Sequence, residues 1–295
     1  MAISPDPSQE RPSTYVVQDR SNPEELRRLQ LQDHMITVAL GGVLPEQPDP
    51  TRFHHVLDMA CGAGGWLIEL AKTAPSISQL VGVDISRRMI EAARREAEAQ
   101  QVSDRVRFRT MDALRLFEFS GDLFDLTNMR FALSFLRTWE WHQVLRELQR
   151  VTRPGGIIRL TDADLPDQSS SPALLCLFRL LAQAYNRAGK YFRPQANGVA
   201  DDLAGLLKQQ NLHHVQVRVY RPEIRTGTVE GQLFFEDMRY LFRTNLPFLR
   251  KWSRVPDNYE ELYEQMLAEM QQPDFVVTNQ TITAWGSKPI HVRVT

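Results

Sequence analysis

Between residues 54 and 161, short runs of β-branched and aliphatic residues alternate with stretches whose apolar positions recur every three to four residues. That alternation marks consecutive βαβ units, and hence a mostly parallel sheet covered on both faces. Strands are predicted at 55–59, 79–84, 105–111, 123–128 and 156–161, with helices at 64–74, 86–101 and 139–151. Thr152-Arg153-Pro154-Gly155-Gly156 reads as a turn into the fifth strand. Upstream, Ser21-Asn22-Pro23-Glu24 reads as a capping box with the Ser21 hydroxyl as cap. The helix it opens runs through Leu26, Leu29, Gln32 and Ile36 to Leu40, where Gly41-Gly42 and Pro45 end it.

Beyond Asp164 the alternation breaks. A Pro/Ser/Asp loop at 166–171 leads to a helix at 172–185 that is apolar around most of its circumference and must therefore be covered. Helices at 199–210, 230–241 and 258–270 and strands at 215–220 and 275–284 complete the pattern, with no internal repeat. The expected fold class is α/β, a seven-stranded mostly parallel sheet with helices on both faces, an N-terminal helical arm and a helical lid insertion. The domain boundaries expected are 1–50 for the arm, 51–164 for a ligand-binding core, 165–197 for the insertion and 198–295 for the rest of the core with added helices.

Composition narrows the function. At 295 residues, with 42% hydrophobic and 24% charged residues, the chain has the profile of an ordinary packed domain and not of a disordered or collagen-like one. Thirty-five Lys and Arg against 36 Asp and Glu give a net charge of -1, which argues against RNA or DNA as partner. The paired arginines Arg87-Arg88 and Arg94-Arg95 read as the solvated face of a helix. The two cysteines, Cys61 and Cys176, lie in unrelated contexts without metal-ligand spacing, which suits a reducing cytoplasm. The polar, proline-containing first twenty residues do not read as a secretion signal, and no run reaches the roughly 18 apolar residues of a membrane span. No metal site is expected: His213-His214 would point to opposite faces of a strand.

The chemistry concentrates in His55-Val56-Leu57-Asp58-Met59-Ala60-Cys61-Gly62-Ala63-Gly64-Gly65-Trp66, a buried strand running through an acid into a small-residue turn that opens a helix. Small side chains at 60, 62 and 64 let a ligand approach the backbone. A dinucleotide loop counted from Gly62 would need a third small residue where Leu67 stands, and Asp58 would oppose a pyrophosphate. The loop therefore suits a ligand without phosphates at this point, and a cationic one. Val81-Gly82-Val83-Asp84-Ile85-Ser86 and Met111-Asp112-Ala113 place two further acids at strand ends. Each alone reads equally well as a helix cap. Three in succession lie along the edge where open α/β sheets bind ligands.

These segments resemble the motifs of class I S-adenosylmethionine-dependent methyltransferases, Rossmann-like in fold, with Ala60 where that family usually carries its first glycine. The resemblance covers about 22–164 and, more weakly, the 275–284 strand. It implies that Asp58, Ala60, Cys61, Gly62 and Gly64 cradle the cofactor, that Asp84 takes the ribose hydroxyls, that Ile85 and Met89 flank the adenine, and that Asp112 and Ala113 meet its edge. Phe124-Asp125-Leu126-Thr127-Asn128-Met129-Arg130 matches the fourth strand, whose end, at Met129 and Arg130, lines the methionine portion and the acceptor cleft. Gln32 and Tyr15 of the arm are placed beside the methyl donor, together with Asp162 and Asp164. The implied cofactor is S-adenosylmethionine, leaving as S-adenosylhomocysteine. The expected activity is methyl transfer to a small, partly apolar acceptor, of the kind found in secondary metabolism.

No catalytic residue has a signature of its own. A base, where the acceptor needs one, would come from His34, His142 or Asp164 by location alone. Leu174, Leu175, Leu177, Phe178, Leu180 and Leu181 of the insertion, with Tyr185, Tyr191 and Phe192 after them, and residues 233–242 either wall a pocket or pack on the core or against a second copy in a homodimer. Two readings compete: a cofactor-binding protein of this fold with a non-methylating role, and a nicotinamide-dependent oxidoreductase.

Overall fold

The structure, a computed structural model, describes residues 15–17 and 22–290. Helix α1 (Pro23–Leu40) is capped by Asn22, whose side chain accepts the Glu24 amide at 2.9 Å. The predicted Ser21 cap lies outside the described residues, as does most of the polar leader. The core then follows in order as β1 (His55–Met59), α2 (Gly65–Thr73), β2 (Gln79–Asp84), α3 (Arg87–Ala99), β3 (Val106–Thr110), β4 (Phe124–Arg130), α4 (Trp141–Val151) and β5 (Thr152–Ala163). The remainder comprises β6 (Gln168–Ser169), α5 (Pro172–Arg187), α6 (Leu203–Gln209), β7 (His213–Tyr220), β8 (Glu223–Arg225), α7 (Val229–Thr244), α8 (Leu246–Trp252), α9 (Tyr259–Glu269), β9 (Val276–Thr278) and β10 (Thr281–Ser287).

The main sheet has seven strands in the order β3-β2-β1-β4-β5-β10-β7. The first five are parallel, and β10 runs antiparallel to both β5 and β7. Its central strands are buried on both sides because helices cover both. Along β1, Val56 packs with Trp66, Leu80 and Ile90 on the α2–α3 side, whereas Leu57 and Met59 join Trp141, Leu145 and Leu160 on the other. The chain order reverses beside β1, between β2 and β4, which opens a crevice at the carboxyl ends of these strands.

Three sequence-based expectations change. Residues 152–156 are not a free turn: β5 begins at Thr152, opposite Phe124, and resumes at Ile157, opposite Leu126. Gly155, at φ +77°, lets the intervening bulge pair with the chain beyond β10, donating to the Lys288 carbonyl at 2.9 Å while the Lys288 amide donates to Gly156. The 275–284 run is two strands in two sheets. It breaks at Asn279-Gln280, where the Gln280 carbonyl accepts the Asp164 amide at 3.0 Å, and β9 joins β6 and β8 in a separate sheet ordered β6-β9-β8. The 199–210 helix is a 3-10 turn at Ala200–Asp202 followed by the shorter α6.

The apolar circumference of α5 is explained by its neighbours, since α8 and α9 pack against it. Helix α7 lies against α1, joining the N-terminal arm to the C-terminal helices above the crevice. Among the described residues no helix is long and apolar enough to cross a membrane.

Candidate functional site

The turn after β1 is built from backbone that side chains resist: Ala60 (φ 55°), Gly62 (φ 54°) and Gly64 (φ 77°) are all left-handed. A Cβ on Gly64 would sit 2.5 Å from the Phe108 ring, so the start of α2 approaches β3 closely. Asp84 braces the turn. Its Oδ2 accepts the Gly62 amide at 3.0 Å and its Oδ1 accepts the Ser86 amide at 2.8 Å, which joins the β1 turn to the N-terminus of α3. Asp112 does the same work after β3, accepting the Leu114 amide at 3.0 Å.

These residues open on one cavity of about 900 Å3. Of the sequence-predicted cofactor residues, Asp58, Ala60, Cys61, Gly62, Asp84, Ile85, Met89, Asp112, Ala113, Arg130, Gln32 and Tyr15 line it. Gly64 and Met129 do not: Gly64 shapes the turn beneath, and Met129, only 1% exposed, is packed in the core beside Met59. Leu67 is fully buried against the sheet, where a dinucleotide loop would need a small residue.

Asp58 and Arg130 carry buried polar atoms without partners on this cavity, as do Thr37, Asn245 and Asn279 elsewhere in its lining. Asp58 is 2% exposed; its Oδ1 accepts the Asn128 amide group at 2.8 Å, and its Oδ2 accepts nothing. Burial raises its carboxyl to about 7, against the opposing pull of Arg130 and Asn128. Arg130 is paired with Asp33 of α1 through Nη2, while its buried Nε and Nη1 have no acceptor. A buried carboxylate oxygen and a buried guanidinium edge, both short of partners, form a site for a ligand bearing an ammonium and a carboxylate together.

The opposite wall is largely apolar, formed by Phe178, Leu181 and Tyr185 of α5 and Phe234, Met238 and Leu241 of α7. It contains one polar cluster. Arg28 grips Glu25 with two hydrogen bonds of 2.8 Å and reaches Asp237 at 3.1 Å, Tyr15 donates to Glu25 at 2.5 Å, and Thr244 donates to it at 3.1 Å. Gln32 lies 3.5 Å from the other Asp237 oxygen. Burial pushes Glu25 up, but Arg28 overcomes it and holds the carboxyl below its usual range; for Asp237 burial prevails and raises it. Asp162, at the end of β5, accepts the Leu133 and Ala163 amides at 3.1 and 3.0 Å and is raised by burial to about 7.

The candidate bases fare differently. His142 is exposed on α4, its ring within 3.0 Å of the Gln210 side chain and outside the cavity, because the start of α4 faces α6 and not the crevice. His34 is exposed at the cavity rim. Asp164 lines the cavity, yet its two oxygens accept the Ala200 amide at 3.1 Å and the Gln280 side chain at 2.9 Å, so it ties the loop after β5 to β10. Burial raises the Cys61 thiol well above its usual range, which leaves it unreactive. Among the described residues no group of three His, Cys, Asp or Glu is arranged to hold a metal.

Sequence reasoning missed Glu25, Arg28, Asp33 and Asp237. Residues 25, 28 and 32 share one helix face, and that spacing is the signal that could have drawn attention to them.

Comparison with known proteins agrees with this geometry. Residues 56–156 match the family described as a methyltransferase domain. A demethylmenaquinone methyltransferase of Lactiplantibacillus plantarum is 38% identical over 114 residues, 39% of this chain and 47% of its own length. The chain thus spans about half the length of such relatives. A 27-O-demethylrifamycin SV methyltransferase of Amycolatopsis mediterranei is 28% identical over 86% of this chain and 78% of its own. In fold, a phosphoethanolamine N-methyltransferase 2 of Haemonchus contortus, solved with phosphomonomethylethanolamine and S-adenosylhomocysteine, superposes with a TM-score of 0.58 at 16% identity, over 95% of this chain and 61% of that one.

Proposed function

We propose that this chain, whose residues 56–156 form a methyltransferase domain of the class I S-adenosylmethionine-dependent kind, transfers a methyl group to a small, partly apolar acceptor. The observation that carries the reading is the pair of unpartnered buried groups, Asp58 Oδ2 and the Arg130 Nε and Nη1, set beside the left-handed turn in one cavity with an apolar wall.

The residues present fit the cofactor. Asp58 would accept from its ammonium and Arg130 would donate to its carboxylate, each gaining the partner it lacks. Asp84, at the end of β2 on the cavity, would accept from the ribose hydroxyls, Ile85 and Met89 would cover the adenine, and Asp112 would accept from the adenine amine. Bound there, S-adenosylmethionine supplies an already electrophilic methyl group, so the protein's share of the reaction is alignment and exclusion of water.

That share falls to the opposite wall. Phe178, Leu181, Phe234 and Met238 desolvate the acceptor and hold its apolar body, while Gln32 and Asp237 offer it a fixed hydrogen-bonding edge. Asp162 lines the same cavity, but like Asp164 it has both oxygens engaged, here by the Leu133 and Ala163 amides, and neither is assigned as a base. Calorimetric titration with S-adenosylhomocysteine, with NADH in parallel, tests the reading. One-to-one binding of the first alone is expected, and binding of NADH alone, or of neither, would overturn it.

A further inference from the structure

The unpartnered oxygen of Asp58 is the end of a longer chain of contacts. Asp58, Asn128 and Arg159 are cross-strand neighbours on β1, β4 and β5: Asp58 pairs in register with Asn128, and Asn128 with Arg159. All three are essentially buried, Asn128 and Arg159 at 0% exposure. Arg159 Nη1 donates to Asn128 Oδ1 at 2.8 Å, and Asn128 Nδ2 donates to Asp58 Oδ1 at 2.8 Å. On its other side Arg159 Nε donates to Glu46 Oε1 at 2.7 Å, a side chain 1% exposed in the loop that follows α1.

An isolated Asn between an acid and another polar group can face either way, because its two ends are nearly the same shape. Here it cannot. A guanidinium only donates, so Asn128 must turn its oxygen to Arg159 and its NH2 to Asp58. That occupies Oδ1 of Asp58 and leaves Oδ2 as the one acceptor open toward the cavity. The same NH2 favours the ionised carboxylate that an ammonium requires. Placing a guanidinium inside a sheet is expensive unless it is paired, and Glu46 supplies the pairing.

We propose that Arg159, clamped by Glu46, is a positioning residue for the cofactor's ammonium group, acting through the fixed amide of Asn128 on Asp58. The proposal rests on the cofactor reading above. Its consequence is that the pH at which Asp58 becomes able to hold an ammonium is set two strands away. The charged and polar groups bearing on that carboxyl are Arg130 and Asn128 from β4, Asp33 from α1 and Arg159 from β5, with burial raising it to about 7.

The test is calorimetric titration between pH 6 and 8.5 with two ligands, S-adenosylhomocysteine and 5′-methylthioadenosine, which carries the nucleoside but no ammonium. In the unaltered protein, affinity for S-adenosylhomocysteine falls with acid, approaching about tenfold per pH unit below the Asp58 midpoint, while that for methylthioadenosine stays nearly flat. The double variant Arg159→Met/Glu46→Met removes the ion pair as a unit, a change that buried pairs often tolerate. It frees the Asn128 amide, so the S-adenosylhomocysteine midpoint rises by about one pH unit and affinity at pH 7 drops several-fold, with methylthioadenosine affected less than about twofold. Glu46→Gln, which keeps the acceptor but leaves Arg159 uncompensated, moves the midpoint the other way.

Unchanged midpoints in either variant, or an equal loss for both ligands, would overturn the positioning role while leaving the cofactor reading intact. Failure of the unaltered protein to bind either ligand overturns the cofactor reading, and this proposal with it.

Discussion

Asp58 is held in a state that is poor for folding and suited to binding, and Asp58→Asn should separate the two. The substitution preserves shape, and its oxygen still accepts from Asn128. The Asp58 carboxyl rises from 3.8 to about 7 on burial, a difference of about three pH units. At about 1.4 kcal/mol per unit this makes its ionised form cost about 4 kcal/mol of stability above pH 7. The sign follows from proton uptake: between pH 3.8 and 7 the folded protein holds a proton that the unfolded chain has lost, so stability falls as pH rises through that window. Asp58→Asn should therefore raise the stability of the ligand-free protein at pH 8 by about 4 kcal/mol, or roughly 8 °C in Tm for a chain of this size. At pH 5 the gain should shrink to about a third of that. The same variant should bind S-adenosylhomocysteine more weakly by about 1.5 to 3 kcal/mol, having lost the charged acceptor for the ammonium. Differential scanning calorimetry at the two pH values and titration with the ligand measure both effects. A variant less stable than the parent at pH 8, or one whose gain over the parent is the same at both pH values, would refute the argument from burial.

Three further substitutions probe other parts of the design. Asp84→Ala should weaken S-adenosylhomocysteine by about 1.5 to 3 kcal/mol by calorimetry, and should also lower Tm because the Gly62 and Ser86 amides lose their acceptor. Gly64→Ala forces a side chain into left-handed backbone and against Phe108, and should lower the unfolding free energy measured in urea by at least the roughly 1–2 kcal/mol of that conformation; an unchanged midpoint would contradict the packing. Arg28→Met leaves Glu25 and Asp237 buried without their cation and should cost about 3 to 5 kcal/mol in chemical denaturation, whereas Arg28→Met with Glu25→Leu and Asp237→Leu should recover much of the loss.

The sequence revealed elements whose logic is local. The five parallel strands and the three helices among them could be read because the central strands, buried on both faces, are largely apolar runs, and the cofactor turn because Ala60, Gly62 and Gly64 carry its backbone requirements in their own identity. Elements that depend on partners far along the chain could not. Nothing in residues 275–284 says that Val276–Thr278 pairs in one sheet and Thr281–Ser287 in another. Asn128 and Arg159 sit inside strands where a sequence pattern registers only an interruption, and their meaning comes from cross-strand register. Arg28 and Asp237 are 209 residues apart, so no window of sequence joins them. Position in the chain puts Met129 and His142 near the site, but alternation along β4 turns one into the core and the facing of α4 turns the other to solvent.

The pairing of α1 with α7 also sets an order of events in folding. Strands β1 to β5 lie within about a hundred residues and can associate over short loops, whereas α1 must wait for a helix made some two hundred residues later. The cofactor turn can thus be complete while the wall that faces it is still open. Pulse-labelled hydrogen exchange should find the amides of β1 and β4 protected before those of α1, and the reverse order would show that the arm docks independently. A nascent chain arrested before α7 would then carry a preformed crevice without the wall that faces it, and the residues proposed to receive the acceptor would be completed last.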